Sequence, residues 1–113
     1  MAYNSILLLK DLLEKEEIPF DFDELFGGYH ICYPSKESRI CSVVEHDYSY
    51  GNTSDLLEIR GLLTKKETEE DDVAGYLTAL DVYDRIKTHW NKVKPLWRRY
   101  AIYERQKNAT NHR

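Results

Sequence analysis

The chain has 113 residues, of which 42% are hydrophobic and 32% charged, with nine tyrosines and two tryptophans. This length provides for one domain with a modest core, and the aromatic content excludes a disordered chain. The net charge of −4 divides unevenly: residues 1–83 carry 7 Lys/Arg and 18 Asp/Glu (net −11), and residues 84–113 carry 9 Lys/Arg and 2 Asp/Glu (net +7). Such a chain can bind a basic partner, an anionic partner, or a second copy in a homodimer.

Membrane contact is not expected. The longest apolar run, residues 6–9, is far shorter than the roughly 18 residues that a membrane span requires. The first residues lack the basic region and the cleavage site of a signal peptide. We therefore expect a cytoplasmic protein.

The first elements are a helix and two strands. Residues 4–17 have apolar side chains at helical spacing, Asn4 or Ser5 is available as N-cap, and Pro19 ends the predicted helix. From residue 20 apolar and polar side chains alternate, which predicts strands on either side of Gly27-Gly28. The second of these strands ends at Pro34.

Residues 39–63 are predicted to form the central hairpin, with Ile40, Val43 and Val44 in its first strand. After a Gly-Asn-Thr-Ser-Asp turn, the second strand should place Leu57 and Ile59 on the core side and Glu58 and Arg60 on the wetter face. Gly61 indicates a bulge or a close approach of two backbones.

Residues 64–113 should contain a charged loop, a strand and a helix. Residues 64–72 are predicted to be a polar loop, and residues 73–77 a short strand. Thr78, with Asp81 three residues later, should begin a helix whose apolar face runs from Val82 to Val93. Pro95 should interrupt it, and a short further helix should fray near Asn108.

These patterns predict the α+β class: an N-terminal helix, an antiparallel meander of four to five strands, a second covering helix and a basic helical C-terminal extension. The predicted division is a single domain over residues 1–94 and the extension over residues 95–113. No cofactor-binding motif is present, and no G-x-S-x-G element or other triad pattern indicates a Ser or Cys nucleophile.

One candidate chemistry is that of a metal-dependent nuclease. Asp47, Glu58 and Arg60 read D-x10-E-x-R on two neighbouring strands, and two carboxylates of this kind can hold a divalent metal. A lysine would be expected at the position of Arg60. The alternative is that these residues form exposed charge pairs across the strands.

A second candidate is a metal site at His30, Cys32 and Cys41. A four-residue loop at residues 35–38 would place the two cysteines directly opposite each other, with His30 on the same face. The same geometry permits a disulfide. In a reducing compartment two reduced core cysteines are expected instead.

The basic aromatic tail is a candidate nucleic-acid element. Aromatic rings stack on unpaired bases while guanidinium groups neutralise phosphates. The candidate residues are Trp97, Arg98, Arg99, Tyr100, Arg105 and Lys107. The acidic body would repel a polyanion over any extended footprint, and core packing is the alternative for the tryptophans.

The fourth candidate is protein recognition by an acidic surface with tyrosine anchors, which are common at interfaces. The predicted surface consists of Asp21, Asp23, Glu45, Asp47, Glu69, Glu70, Asp71 and Asp72, with Tyr48 and Tyr50 as anchors.

The order of four segments resembles a family of small phage and prophage proteins of Gram-positive bacteria. The segments are IPFDFDELFGGYHICYP, SVVEHDYSYG, LLEIRGLLT and VAGYLTALDVYDRIKTHW, and the resemblance covers residues 3–93. It implies no reaction and no site residue. It implies a role in binding, as in phage inhibitors of host CRISPR nucleases and other defence systems.

The function predicted from the sequence is a non-enzymatic, phage-type binding protein that inhibits or modulates a host protein, one that handles nucleic acid. An acidic body suits this role because a nuclease has a basic channel. The alternatives are a nucleic-acid-binding protein that uses the tail and a metal-dependent nuclease.

Overall fold

The computed structural model describes the backbone of residues 2–111 and the side chains of residues 2–100 and Ile102. It confirms the α+β class: one antiparallel sheet, in the order β1-β2-β3-β4-β5, with helices on one face. The elements are α1 (Asn4–Lys15), β1 (Asp21–Leu25), β2 (Gly28–Tyr33), β3 (Cys41–Glu45), a 3-10 turn (Asn52–Ser54), β4 (Leu57–Arg60), α2 (Lys65–Glu70), β5 (Val73–Leu77) and α3 (Ala79–Asn111). None of the described helices is long and apolar enough to cross a membrane.

The core lies between the sheet and the two longer helices. Alternate residues of β2, β3 and β4 face α1 and α3, as strand periodicity requires. The buried residues include Ile6, Leu9 and Leu13 of α1, Ile31, Tyr33, Val43, Leu57 and Ile59 of the sheet, and Val82, Ile86 and Trp90 of α3. The predicted apolar faces of both helices are therefore confirmed.

The central hairpin is confirmed as β3 and β4, but its first strand begins later than expected. Ile40 precedes β3 and is 43% exposed, and Val44 lies on the face opposite Val43. Gly61 has φ +88°, and a Cβ there would collide with the carbonyl oxygen of Ile40. The close approach of two backbones predicted at Gly61 is therefore confirmed.

The prediction of an unstructured loop over residues 64–72 is wrong, because α2 lies within it. Thr64 accepts a hydrogen bond from the Glu67 backbone N–H, and the Glu67 side chain accepts one from the Thr64 N–H. This capping box starts the helix without any buried residue. Glu67 also forms a bidentate pair with Arg85 of α3, and hydrogen bonding to Arg85 lowers the pKa of Glu67 to about 2.

The expected interruption at Pro95 is also wrong, since α3 continues through it to Asn111. The predicted boundary at residue 95 therefore falls inside a continuous helix. Thr78 caps this helix as predicted: its hydroxyl accepts the Asp81 N–H at 3.1 Å. Beyond Pro95, residues 96–100 are all exposed.

The N-terminus of α1 is held by the central hairpin instead of by its own cap. Neither Asn4 nor Ser5 acts as N-cap, since Tyr3 occupies that position, and its side chain makes no capping hydrogen bond to the helix. Asp55, which follows the 3-10 turn, accepts the backbone N–H groups of Asn4 and Ser5 at 3.0 and 2.9 Å. The orphan donors of the first helical turn thus find their acceptor on a distant segment.

Glu45 at the end of β3 completes this contact from inside the core. It is fully buried, and its Oε1 accepts the Ile6 N–H at 3.1 Å. Burial, and then the neighbouring Asp55 carboxyl, raise the pKa of Glu45 to about 8. Burial opposes ionisation of Asp55, but hydrogen bonds from Glu45 and from the Ser5 and Asn4 N–H groups outweigh it and lower the pKa of Asp55. Near neutral pH Glu45 therefore keeps its proton while Asp55 is ionised.

Replacing Asp55 tests the cap. Asp55→Ala removes the acceptor of two N–H groups and should lower the free energy of unfolding by about 1–2 kcal/mol, as loss of a helix cap does. Asp55→Asn keeps an acceptor oxygen and tolerates the left-handed backbone (φ +53°), so it should cost less. Urea denaturation measures both, and equal losses for the two variants would contradict the assignment.

Glu45 predicts a pH dependence of stability. The pKa of Glu45 in the folded protein lies above the value of about 4.3 expected in the unfolded chain. Its contribution to the free energy of unfolding is therefore complete below about pH 4.3 and is lost as the pH rises to about 8. The wild type should lose up to roughly 1.4 kcal/mol per pH unit within this window relative to Glu45→Gln. Urea denaturation from pH 4 to pH 9 measures the difference, and parallel curves would contradict it.

Candidate functional site

Four exposed aromatic side chains lie at one end of the sheet in two pairs, Phe26 with Tyr48 and Tyr50 with Tyr76, and together we call them the aromatic surface. Their exposed fractions are 60, 78, 54 and 65%. The rings of Phe26 and Tyr48 lie 5.6 Å apart, edge to face, and the Tyr76 N–H lies 3.5 Å from the Tyr50 carbonyl oxygen. Exposed aromatic clusters of this kind are typical of binding surfaces.

Two of these four aromatic residues, Phe26 and Tyr76, have a left-handed backbone. Phe26 and Gly27 form the turn between β1 and β2, and both have positive φ (+47° and +78°). Tyr76 has φ +59° within β5. A left-handed backbone is unfavourable for a bulky residue, and such strain is concentrated at functional positions. Neither residue was predicted; the Phe-Gly-Gly turn was the available signal for Phe26, whereas Tyr76 resembled an ordinary strand residue.

A network of hydrogen bonds orders the segment that carries Tyr48. Ser49 Oγ accepts the His46 N–H and donates to the His46 carbonyl, each at 3.0 Å. The Tyr48 N–H donates to His46 Nδ1 at 3.1 Å, and the Asn52 side chain donates to the Asp47 carbonyl at 2.9 Å. Tyr48 is therefore presented on a fixed backbone, which reduces the entropy lost on binding.

The predicted acidic residues occupy several regions. Asp47 borders the aromatic surface and accepts the Tyr3 hydroxyl at 2.5 Å. Asp21 and Asp23 lie on β1, and Glu69, Glu70, Asp71 and Asp72 are exposed at α2 and just after it. The prediction of Glu45 as a surface residue is wrong, because its strand parity turns it into the core.

The predicted nuclease residues each have a different partner. Asp47 lies beyond the end of β3, bonded to Tyr3. Glu58 accepts the Tyr50 N–H at 3.0 Å, and Arg60 pairs with Asp72 at 3.1 Å. Among the described residues, no three His, Cys, Asp or Glu side chains are arranged to hold a metal ion. The geometry gives the nuclease hypothesis no support.

The predicted alignment of the cysteines is wrong by one residue. Cys32 pairs with Ser42, and Cys41 pairs with Tyr33. A shift of one residue places the two thiols on opposite faces of the sheet, so His30, Cys32 and Cys41 cannot share a metal. Both cysteines are buried and free, and burial raises the pKa of each thiol, that of Cys41 to about 12.

A polar cluster lies on the face of the sheet that α1 and α3 leave open; we call it the open-face cluster. It comprises Asp23, His30, Cys32 and Ser42. His30 Nδ1 lies 3.4 Å from Asp23 Oδ1, and His30 Nε2 lies 2.6 Å from Ser42 Oγ and 3.3 Å from Cys32 Sγ. Ser42 was missed, because no motif marks a serine that reaches its histidine diagonally between strands.

The candidate nucleic-acid residues of the tail lie along the exposed end of α3. Trp97 contacts Trp90 edge to face, with ring centroids 6.1 Å apart, and is 45% exposed. Arg98, Arg99 and Tyr100 are exposed. The side chains of Arg105 and Lys107 lie outside the described residues.

Comparison of the chain with protein-family models, curated proteins and solved structures finds no match.

The burial of the two cysteines predicts their reactivity. In the native protein neither Cys32 nor Cys41 should react measurably with Ellman's reagent, because both are at most 2% exposed and stay protonated. In guanidinium chloride both thiols should react with Ellman's reagent immediately. Rapid reaction of the native protein, or fewer than two thiols after denaturation without reductant, would contradict the structure.

Proposed function

We propose that the protein is a binding protein whose aromatic surface engages a basic surface of another protein, and that it acts on this partner by occupying that surface instead of by catalysing a reaction on it. The observation that carries this proposal is the group of four exposed aromatic side chains held on ordered and partly strained backbone. Rigid aromatic anchors supply much of the binding energy at protein interfaces.

Charge supports a basic partner. Asp47 lies against Gly27 in the turn that carries Phe26, and Glu58 accepts the backbone N–H of Tyr50, so carboxylates border the aromatic surface. A surface bordered by carboxylates attracts lysine and arginine and repels polyanions. Arginine also stacks on tyrosine and phenylalanine rings, so the same partner residues can satisfy both the charge and the aromatic groups.

In a more specific version of the proposal, the protein is a phage-type inhibitor of a host protein that handles nucleic acid, such as a nuclease of a defence system. Such a protein has a basic surface for its nucleic acid, and occupying that surface blocks its function. This form rests on the resemblance of residues 3–93 and on the acidic charge of residues 1–83. In it the protein works in the cytoplasm of the bacterial host.

The second candidate function is nucleic-acid binding by the tail. Trp97, Arg98, Arg99 and Tyr100 are exposed on the end of α3 that projects beyond the core, which favours it. Deletion of residues 96–113 would abolish this binding and leave the aromatic surface intact.

Tyr48→Ala tests the proposed function. Wild type and variant serve as baits in a bacterial host lysate, and the partner is identified by mass spectrometry. We expect a basic, nucleic-acid-binding protein to be captured by the wild type, and the purified pair to lose about 30-fold in affinity in the variant, as for an interface hot spot. Tyr48 is 78% exposed, so the variant should keep its melting temperature.

Tyr100→Ala is the matched control, since Tyr100 is 61% exposed but lies on α3. It should bind as the wild type does, and added nucleic acid should compete with the protein for the partner. Equal binding by Tyr48→Ala and wild type would overturn the proposal. Loss of binding on deleting residues 96–113, but not in Tyr48→Ala, would favour the second candidate.

A further inference from the structure

The open-face cluster places a serine within hydrogen-bond distance of one nitrogen of a histidine, and an aspartate at ion-pair distance from the other nitrogen. Ser42 on β3 lies 2.6 Å from His30 Nε2, and Asp23 on β1 lies 3.4 Å from His30 Nδ1. The three side chains come from three adjacent strands, and the pairings Asp23↔His30 and Cys32↔Ser42 hold them on one face. This is the order of contacts by which a histidine activates a serine hydroxyl.

The protonation state of His30 suits that role. Burial, only partly offset by Asp23, lowers the pKa of His30, so the ring is neutral near pH 7. A carboxylate beside Nδ1 favours the proton on that nitrogen. Nε2 is then an acceptor, and the Ser42 hydroxyl donates to it.

The other charged groups near His30 are also accounted for. Lys36 and Arg39, in the loop between β2 and β3, lower its pKa, and Lys36 Nζ pairs with Asp23 Oδ2 at 2.5 Å. Lys36 also donates its backbone N–H to Asp21 at 2.7 Å. The loop therefore fixes the carboxylate of Asp23 beside the histidine ring.

Ser42 borders a cleft with room for a small substrate. The cleft measures about 290 Å³ and is lined by Arg39, Ile40, Cys41, Ser42, Arg60 and Gly61. Both arginines are exposed, and the ion pair between Arg60 and Asp72 is exposed as well, so a substrate anion can compete with Asp72 for the guanidinium group. Their guanidinium groups can attract a carboxylate or phosphate group and stabilise the negative charge that develops on an acyl oxygen.

We propose that Ser42 is a nucleophile activated by His30, and that the cleft beside it accepts small esters that carry an anionic group. Ser42 Oγ attacks the carbonyl carbon while its proton passes to His30 Nε2. The bond to the leaving alcohol breaks, and His30 returns the proton to that alcohol. Water, deprotonated by His30, then hydrolyses the acyl-serine and restores the hydroxyl. This activity is separate from partner binding at the aromatic surface.

Cys32 is the competing nucleophile, because its sulfur lies 3.3 Å from the same nitrogen. Its side chain is fully buried, and burial raises the pKa of its thiol. Ser42 is half-buried and borders the cleft. Reaction is therefore expected at the hydroxyl.

A fluorophosphonate probe tests the proposal, since it reacts with activated serine hydroxyls much faster than with ordinary ones. Ser42 Oγ forms a bond to phosphorus, the phosphorus–fluorine bond breaks, and the serine proton leaves with fluoride. We expect the full native chain to be labelled at Ser42, located by peptide mass spectrometry, and labelling to disappear in guanidinium chloride. Ser42→Ala should abolish it, and His30→Gln should slow it by about 100-fold or more.

Matched variants separate activation from simple exposure. Ser54→Ala, which changes an exposed serine of the 3-10 turn, should be labelled like the wild type. Asp23 acts as a positioning residue: Asp23→Asn should slow labelling and shift the midpoint of its pH profile downward, because Asp23 raises the pKa of His30. No labelling of native wild type, or equal rates in His30→Gln and wild type, would overturn the proposal.

The anionic preference is tested with two esters of the same length. The protein should hydrolyse p-nitrophenyl hemisuccinate faster than p-nitrophenyl butyrate, and Arg60→Gln should reduce the ratio of the two rates. A higher rate for the butyrate ester in the wild type would overturn the assignment of the cleft to anionic esters.

Discussion

The attachment of α1 to the central hairpin is the contact on which the rest of the structure depends. Asp55 accepts the first N–H groups of α1, and the buried carboxyl of Glu45 accepts the N–H of Ile6. A helix N-terminus carries partial positive charge and favours a carboxylate there. The second carboxyl, that of Glu45, is tolerated in the core because it keeps its proton. Together Asp55 and Glu45 fix the position at which the apolar face of α1 packs on the sheet.

That attachment divides the sheet into two unlike faces. Because α1 and α3 both lie on one side, Ile31, Val43 and Ile59 are buried, while the alternate residues of the same strands remain on the open face. The ends of β1, β3 and β5 meet at the aromatic surface, away from the open-face cluster. The fold thus carries two separate regions of exposed chemistry, one aromatic and bordered by acidic groups, and one polar with two arginines.

The two proposals use these regions differently. Binding by the aromatic surface needs a rigid display of rings, which the turns at Phe26 and Tyr48 provide. Activation of Ser42 needs a neutral histidine and a fixed carboxylate, which the loop carrying Lys36 and Arg39 provides by partly covering the open face. Neither region draws on the buried pair at Glu45 and Asp55, so each can be altered without removing the contact that supports the fold.

Periodicity in the sequence was sufficient to predict the α+β class, the meander, the central hairpin and the buried faces of α1 and α3, because helical and strand spacing follow from local geometry. Periodicity was not sufficient to predict contacts that depend on the register between strands. The observed register of β2 and β3 differs by one residue from the predicted one, so Cys41 and Cys32 lie on opposite faces of the sheet. Glu45 is buried because it shares a face of β3 with Val43. The cap of α1 by Asp55, the continuation of α3 through Pro95 and the meeting of Asp23, His30 and Ser42 were decided by the tertiary structure. Each depends on segments far apart in the chain, and no local pattern records which of their side chains come into contact.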